Sequence, residues 1–192
     1  MTADWGTAGD VPMVGDYNGD NSDDVAIYRP TTGLWAIQLT GAGQVYQSFG
    51  QSGDRPIQGD FDGDNKADYA VFRNGNWFIQ GSTSGFMAIN WGVSSDILVP
   101  ADYDNDNKTD VAVFRNGAWY IRQSTNGQFR GVNFGTSTDI PAAGAYDGDG
   151  ADDVAVFHPS DGNWYAQQST AGFSAVSFGA NGDTPISSLY NR

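Results

Sequence analysis

Three stretches of the chain place oxygen-bearing side chains at every second position. They read Asp16-Tyr17-Asn18-Gly19-Asp20-Asn21-Ser22-Asp23-Asp24, Asp60-Phe61-Asp62-Gly63-Asp64-Asn65-Lys66-Ala67-Asp68 and Asp102-Tyr103-Asp104-Asn105-Asp106-Asn107-Lys108-Thr109-Asp110. Counted from the first Asp, side-chain oxygens fall at positions 1, 3, 5 and 9, and they converge on one point if the loop curls. Position 7 (Ser22, Lys66, Lys108) is suited to offer a main-chain carbonyl, which leaves its side chain free to vary. Position 6 needs a sharp turn, and Asn21, Asn65 and Asn107 tolerate positive φ. Hard oxygen donors in a flexible loop favour Ca2+, whereas Mg2+ asks for a smaller octahedral shell and keeps more water. Carboxylates this close repel one another, so a divalent ion is expected to be part of folding.

A fourth stretch, Ala145 to Asp153, keeps Asp147, Asp149 and Asp153 at positions 3, 5 and 9, with Ala151 at position 7 and Gly150 at position 6. Ala145 removes the first carboxylate. Three calcium sites are therefore expected, with the fourth weakened or empty. None is an EF-hand, because position 12 is Ile27, Val71 or Val113 rather than Glu.

Sixteen of the 23 acidic residues lie in these four loops, all acidic residues are Asp, and the formal charge is −14. Such a chain is a poor partner for nucleic acid, since phosphate binding needs Lys and Arg. It has no Cys, hence no disulfide frame or thiolate metal site. It also has no apolar run suited to span a bilayer, and no membrane insertion is expected. Gly and aromatic residues are plentiful, as in an all-β chain with many tight turns.

The loops recur with the rest of the sequence. The aromatic residue at position 2 returns at Tyr17, Phe61, Tyr103 and Tyr146, and again at Tyr190; a Trp returns at Trp35, Trp77, Trp119 and Trp164. An aromatic–Gly pair returns at Trp5-Gly6, Phe49-Gly50, Trp91-Gly92, Phe134-Gly135 and Phe178-Gly179. A period of about 43 residues is that of a four-stranded propeller blade. The units run over about 9–52, 53–95, 96–138 and 139–182, with 183–192 as an extra first strand. In each, a first strand such as Val11–Asp16 precedes the Asp loop. The second strand follows it: Val25–Arg29, Tyr69–Arg73, Val111–Arg115 and Val154–His158. Asn74-Gly75 and Asn116-Gly117 are two-residue hairpin signals leading to the Trp-bearing third strand. The fold class is thus an all-β propeller of four blades. It closes as a four-bladed ring, pairs with a second chain as a homo-oligomer, or forms part of a larger array.

The Phe-Gly pairs, the following Pro12, Pro56, Pro141 and Pro185, and the Asp loops resemble the FG-GAP/VCBS repeat family, which includes the integrin α-subunit head. Leu98 stands in place of the Pro in the third unit. The resemblance implies a calcium-stabilised propeller, extracellular in its usual setting. Members serve in adhesion, as lectins, or as scaffolds attached to enzymes. The expected role is a non-enzymatic binding, adhesion or display module with a protein or glycan ligand. A lectin with sites between blades is the alternative, and an accessory domain of a secreted hydrolase comes behind it. Phe86, Phe129 and Phe173 recur just before the fourth strand and suit either core capping or stacking on a sugar. His158 stands where the other units have Arg29, Arg73 and Arg115, which marks a structural slot. Those Arg side chains are expected to pair with the recurring Asp10, Asp54, Asp96 and Asp139.

Overall fold

The computed structural model describes residues 5–186. These contain only β-strands and turns. The strands form four antiparallel sheets of four, each in simple meander order: β1 (Val11–Gly15), β2 (Asp24–Arg29), β3 (Leu34–Leu39) and β4 (Gly43–Ser48); β5 (Arg55–Ile57), β6 (Tyr69–Arg73), β7 (Asn76–Gly81) and β8 (Gly85–Asn90); β9 (Ile97–Leu98), β10 (Val111–Arg115), β11 (Ala118–Arg122) and β12 (Phe129–Asn133); β13 (Ile140–Pro141), β14 (Val154–His158), β15 (Asn163–Gln168) and β16 (Gly172–Ser177). The fold is of the β-propeller class, with each sheet a blade. The chain divides into two compact units, residues 5–90 and 91–186, each holding two blades. The extra first strand expected over 183–192 falls mostly outside the described residues.

The second strand of each blade is almost wholly apolar and is buried along most of its length, as in Val111–Phe114 and Val154–Phe157. A strand covered on both faces needs a continuous β-branched and aromatic run rather than an alternating one. The third strand alternates, and its inward positions carry Trp35, Trp77 and Trp119, each with no exposed surface. In the first unit Met13, Ala26, Tyr28, Trp35 and Ile37 of one blade pack with Val71 of the next. In the second unit Val99, Phe114, Trp119 and Ile121 pack with Val154 and Val156. Blade-on-blade burial is therefore what orders the chain, as expected for repeats that cannot bury both faces alone.

The Asn-Gly hairpins have a second task. Asn116 and Gly117 take φ of 51° and 84°, the paired positive values of a type I′ turn. A Cβ on Gly117 would sit 2.4 Å from the carbonyl oxygen of Gly135, and the Gly117 carbonyl accepts the Phe134 N–H at 2.9 Å. The turn between the second and third strands thus clasps the aromatic–Gly pair that ends the fourth. The four-residue turns behave alike: Gly162 accepts from Phe178 and abuts Gly179.

Candidate metal centre

Each Asp loop hangs between the first two strands of its blade, and in the second and third blades its position-2 aromatic anchors it. Phe61 and Tyr103 are buried, with ring centroids 6.4 and 6.3 Å from Trp77 and Trp119. The Tyr103 hydroxyl donates to the Val99 carbonyl at 2.7 Å. With the aromatic pinned inward, the flanking Asp side chains are left to the loop.

The loops curl as the sequence requires. Asn21, Asn65, Asn107 and Gly150 at position 6 have φ of 62°, 65°, 64° and 101°. Position 4 is also left-handed, with φ of 82°, 81°, 57° and 77° at Gly19, Gly63, Asn105 and Gly148. Two left-handed residues in one short loop turn successive main-chain N–H groups toward the position-1 carboxylate. Asp60 accepts the amides of Gly63, Asp64 and Asn65 at 2.6, 3.3 and 2.7 Å. Asp16 accepts those of Asn18, Gly19, Asp20 and Asn21. Asp102 accepts from Asp106 and Asn107. Ala145 offers no such acceptor.

Position 9 ties the loop to the turn after the third strand. Asp68 accepts the Phe61 and Ser82 amides at 2.8 and 2.8 Å. Asp110 accepts those of Tyr103 and Ser124 at 3.0 and 2.6 Å. Asp24 takes Tyr17 and Thr40, and Asp153 takes Tyr146 and Ser169. This staple is present in all four blades, including the one that lacks position 1. It was not visible in the sequence; the only trace is the recurring Ser/Thr at Thr40, Ser82, Ser124 and Ser169.

In the second and third loops the structure brings positions 1, 3 and 9 together. One carboxylate oxygen from each of Asp60, Asp62 and Asp68 lies within 4.8 Å of the others, and the same holds for Asp102, Asp104 and Asp110. Both groups have carboxylate oxygens with no partner. Asp62 Oδ1 is buried and unpaired, although its Oδ2 accepts from Thr83 and Ser84. Both oxygens of Asp104 are buried and unpaired. A buried carboxylate oxygen without a donor is costly, and the two neighbouring carboxylates have no proton donor to offer it. Burial and the neighbouring Asp62 and Asp60 push Asp68 up to about 7. Burial and Asp104 push Asp110 up to about 6. Burial also raises Asp60 and Asp102, against the pull of their amide donors.

Position 5 stands apart from these groups. Asp64 is engaged by the Ser82 hydroxyl and the Lys66 amide. Asp106 is engaged by the Ser124 and Thr125 hydroxyls and the Lys108 amide. Lys66 and Lys108 thus enter through their main chain, and Lys66 runs its methylenes against Gly19 of the preceding loop. In the first loop Asn18 Oδ1 accepts the Asp20 amide, while Asp20 accepts from the Thr40 hydroxyl at 2.5 Å and the Ser22 amide at 2.9 Å. In the fourth, Asp147 accepts from Thr170 and Ala171, and Asp149 from Ser169 and the Ala151 amide. Among the described residues neither of these two loops gathers three carboxylates.

Outside the loops, the recurring Asp and Arg form bidentate pairs: Arg29 with Asp10, Arg73 with Asp54 and Arg115 with Asp96, at 2.6–2.9 Å. His158 pairs with Asp139 in the same slot. Arg73 and Arg115 lie over Phe78 and Tyr120, at 4.7 and 5.1 Å. Those rings stack in turn on Phe86 and Phe129, and Tyr165 stacks on Phe173. Phe86, Phe129 and Phe173 are 61, 60 and 63% exposed, so they lie against the rings that flank the core without being part of it. Each lies on the last strand of its blade. No family model and no curated protein matches the chain.

Proposed function

We propose that this chain is a calcium-stabilised, non-enzymatic binding or display module of the FG-GAP/VCBS type, working outside the cell, where free calcium is abundant. The observation that carries the metal reading is the set of unpaired carboxylate oxygens on Asp62 and Asp104, each beside two further carboxylates. Asp60, Asp62 and Asp68 would hold one ion and Asp102, Asp104 and Asp110 another. The first loop, with Asp16, Asn18, Asp20 and Asp24, is the third site. The ion supplies charge neutralisation and fixes each loop to its blade.

A non-enzymatic role is favoured by the symmetry of the polar groups. The single His occupies the slot that Arg fills in the sister blades, and the Asp residues are absorbed by loops and ion pairs. Thermal melts with and without chelator test the reading: calcium should raise the melting temperature, and an unchanged melt would remove the support for it.

A glycan ligand is the second reading, favoured by the exposure of Phe86, Phe129 and Phe173 at equivalent places in three blades. Repeated weak sites gain avidity. Binding to a glycan array that is lost on Phe→Ala substitution supports it, and a blank array counts against it.

A further inference from the structure

The fourth loop keeps its shape despite lacking the position-1 carboxylate, and its contacts show what it does with that shape. Asp152, at position 8, donates its amide to the Asp102 carbonyl at 2.7 Å and accepts the Asp102 amide on its Oδ2 at 3.0 Å. One residue thus closes a two-point clamp on the main chain of the residue that opens the third loop. Asn105 Nδ2 adds a longer bond to the Asp149 carbonyl at 3.4 Å, and Gly150 fits so closely that a Cβ there would lie 2.8 Å from Asn105 Oδ1. From the other side, Arg130 Nη1 donates to the Tyr103 carbonyl at 3.0 Å. The matching contact in the first unit is thinner. Ala67 at position 8 donates its amide to the Asp16 carbonyl at 2.7 Å but has no carboxylate to return.

We infer that Asp152 is a positioning residue for the third-loop cation centre, and that the fourth loop serves its neighbour as a bracket. This rests on the calcium reading above. Asp102 supplies one of the three gathered carboxylates, and its side chain can sit against Asp104 and Asp110 only if its main chain is held. Asp104 is the residue whose two oxygens are both buried without a donor, so the clamp acts at the loop with the largest unmet demand for a cation. Fixing a ligand by a hydrogen bond to the group behind it is how outer-shell residues act at metal sites. Their loss costs about 10–100-fold in affinity.

The test separates geometry from charge. Calcium titrations by calorimetry are made on the full chain carrying Asp20→Asn and Asp62→Asn, which disable the first and second loops, and with Asp152→Ala or Asp152→Asn added. Asn keeps an oxygen to accept the Asp102 amide but loses the charge; Ala loses both. Asp152→Ala is expected to weaken third-loop binding about tenfold, with Asp152→Asn close to the parent. In the calcium-free protein the Asp102 amide should exchange faster in Asp152→Ala than in Asp152→Asn, which reads the clamp without metal. Equal losses in both variants would make Asp152 a mere charge and overturn the inference. Unchanged affinity in Asp152→Ala would overturn it too, while leaving the calcium reading intact. A parent that takes up no calcium at all would sink the calcium reading and this inference together.

Discussion

Replacing Asp104 by Asn is expected to stabilise the protein in chelator and destabilise it in saturating calcium. The three carboxylates of the third loop have oxygens within 4.8 Å of one another. Two unit charges at that distance repel by about 3.5 kcal/mol at an effective dielectric near 20. Asp110, raised to about 6, is still mostly ionised at pH 7, and salt and solvent trim the repulsion. Removing the Asp104 charge should therefore gain about 2–3 kcal/mol without metal. For a chain of this size that is a rise of about 4–12 °C in melting temperature. A bound ion reverses the balance. At a free concentration a thousand times Kd one site contributes about 4.1 kcal/mol. Losing it outweighs the gain, so the variant should fall below the parent by about 1–2 kcal/mol. Differential scanning fluorimetry in chelator and in a calcium series reads both signs. A variant that melts lower than the parent under both conditions refutes the reasoning, since Asp104 would then be a structural residue and not a ligand.

Other perturbations probe the remaining parts. Asp54→Ala strips Arg73 of a bidentate partner and the Gln51 amide of its acceptor. It should cost about 3 kcal/mol, seen as a lower midpoint in urea. Ala145→Asp restores the missing acceptor of the fourth loop and should add one bound calcium per chain in native mass spectra. His158 is raised by its hydrogen bond to Asp139, so its pair stabilises fully below the unfolded pKa and fades as pH rises through the folded one. His158→Arg should therefore gain in relative melting temperature between pH 5.5 and 8.5, while a pH-independent difference would contradict the pairing. Asp68 and Asp110, raised to about 7 and about 6, should lose protons when calcium binds. Its affinity should then fall as pH drops from 7.5 to 5.5, with proton release visible in calorimetry across buffers.

The second strands could be read residue by residue, because a run such as Val-Ala-Val-Phe bounded by turn residues has few other homes. The first strands are shorter than read. β5 holds three residues and β9 and β13 two each, and proline is not the cause, since β9 has Leu98 at that place and the longest first strand, β1, contains Pro12. The Asp–Arg pairs were legible as a constant spacing, 19 residues in each blade. The partners of positions 5 and 9 were not, since Ser82 and Ser124 lie a whole hairpin away and Ser or Thr in a turn is unremarkable by itself. The exposure of Phe86 was hidden for another reason. Alternation along β8 separates two faces but does not say which of them a neighbour covers.

Counting bound ions tests the central claim most directly. Native mass spectrometry of the full chain, equilibrated with calcium and then desalted, should show three ions, with Asp62→Asn and Asp104→Asn each removing one. A chain that carries no calcium, or whose count is indifferent to both substitutions, would contradict the account.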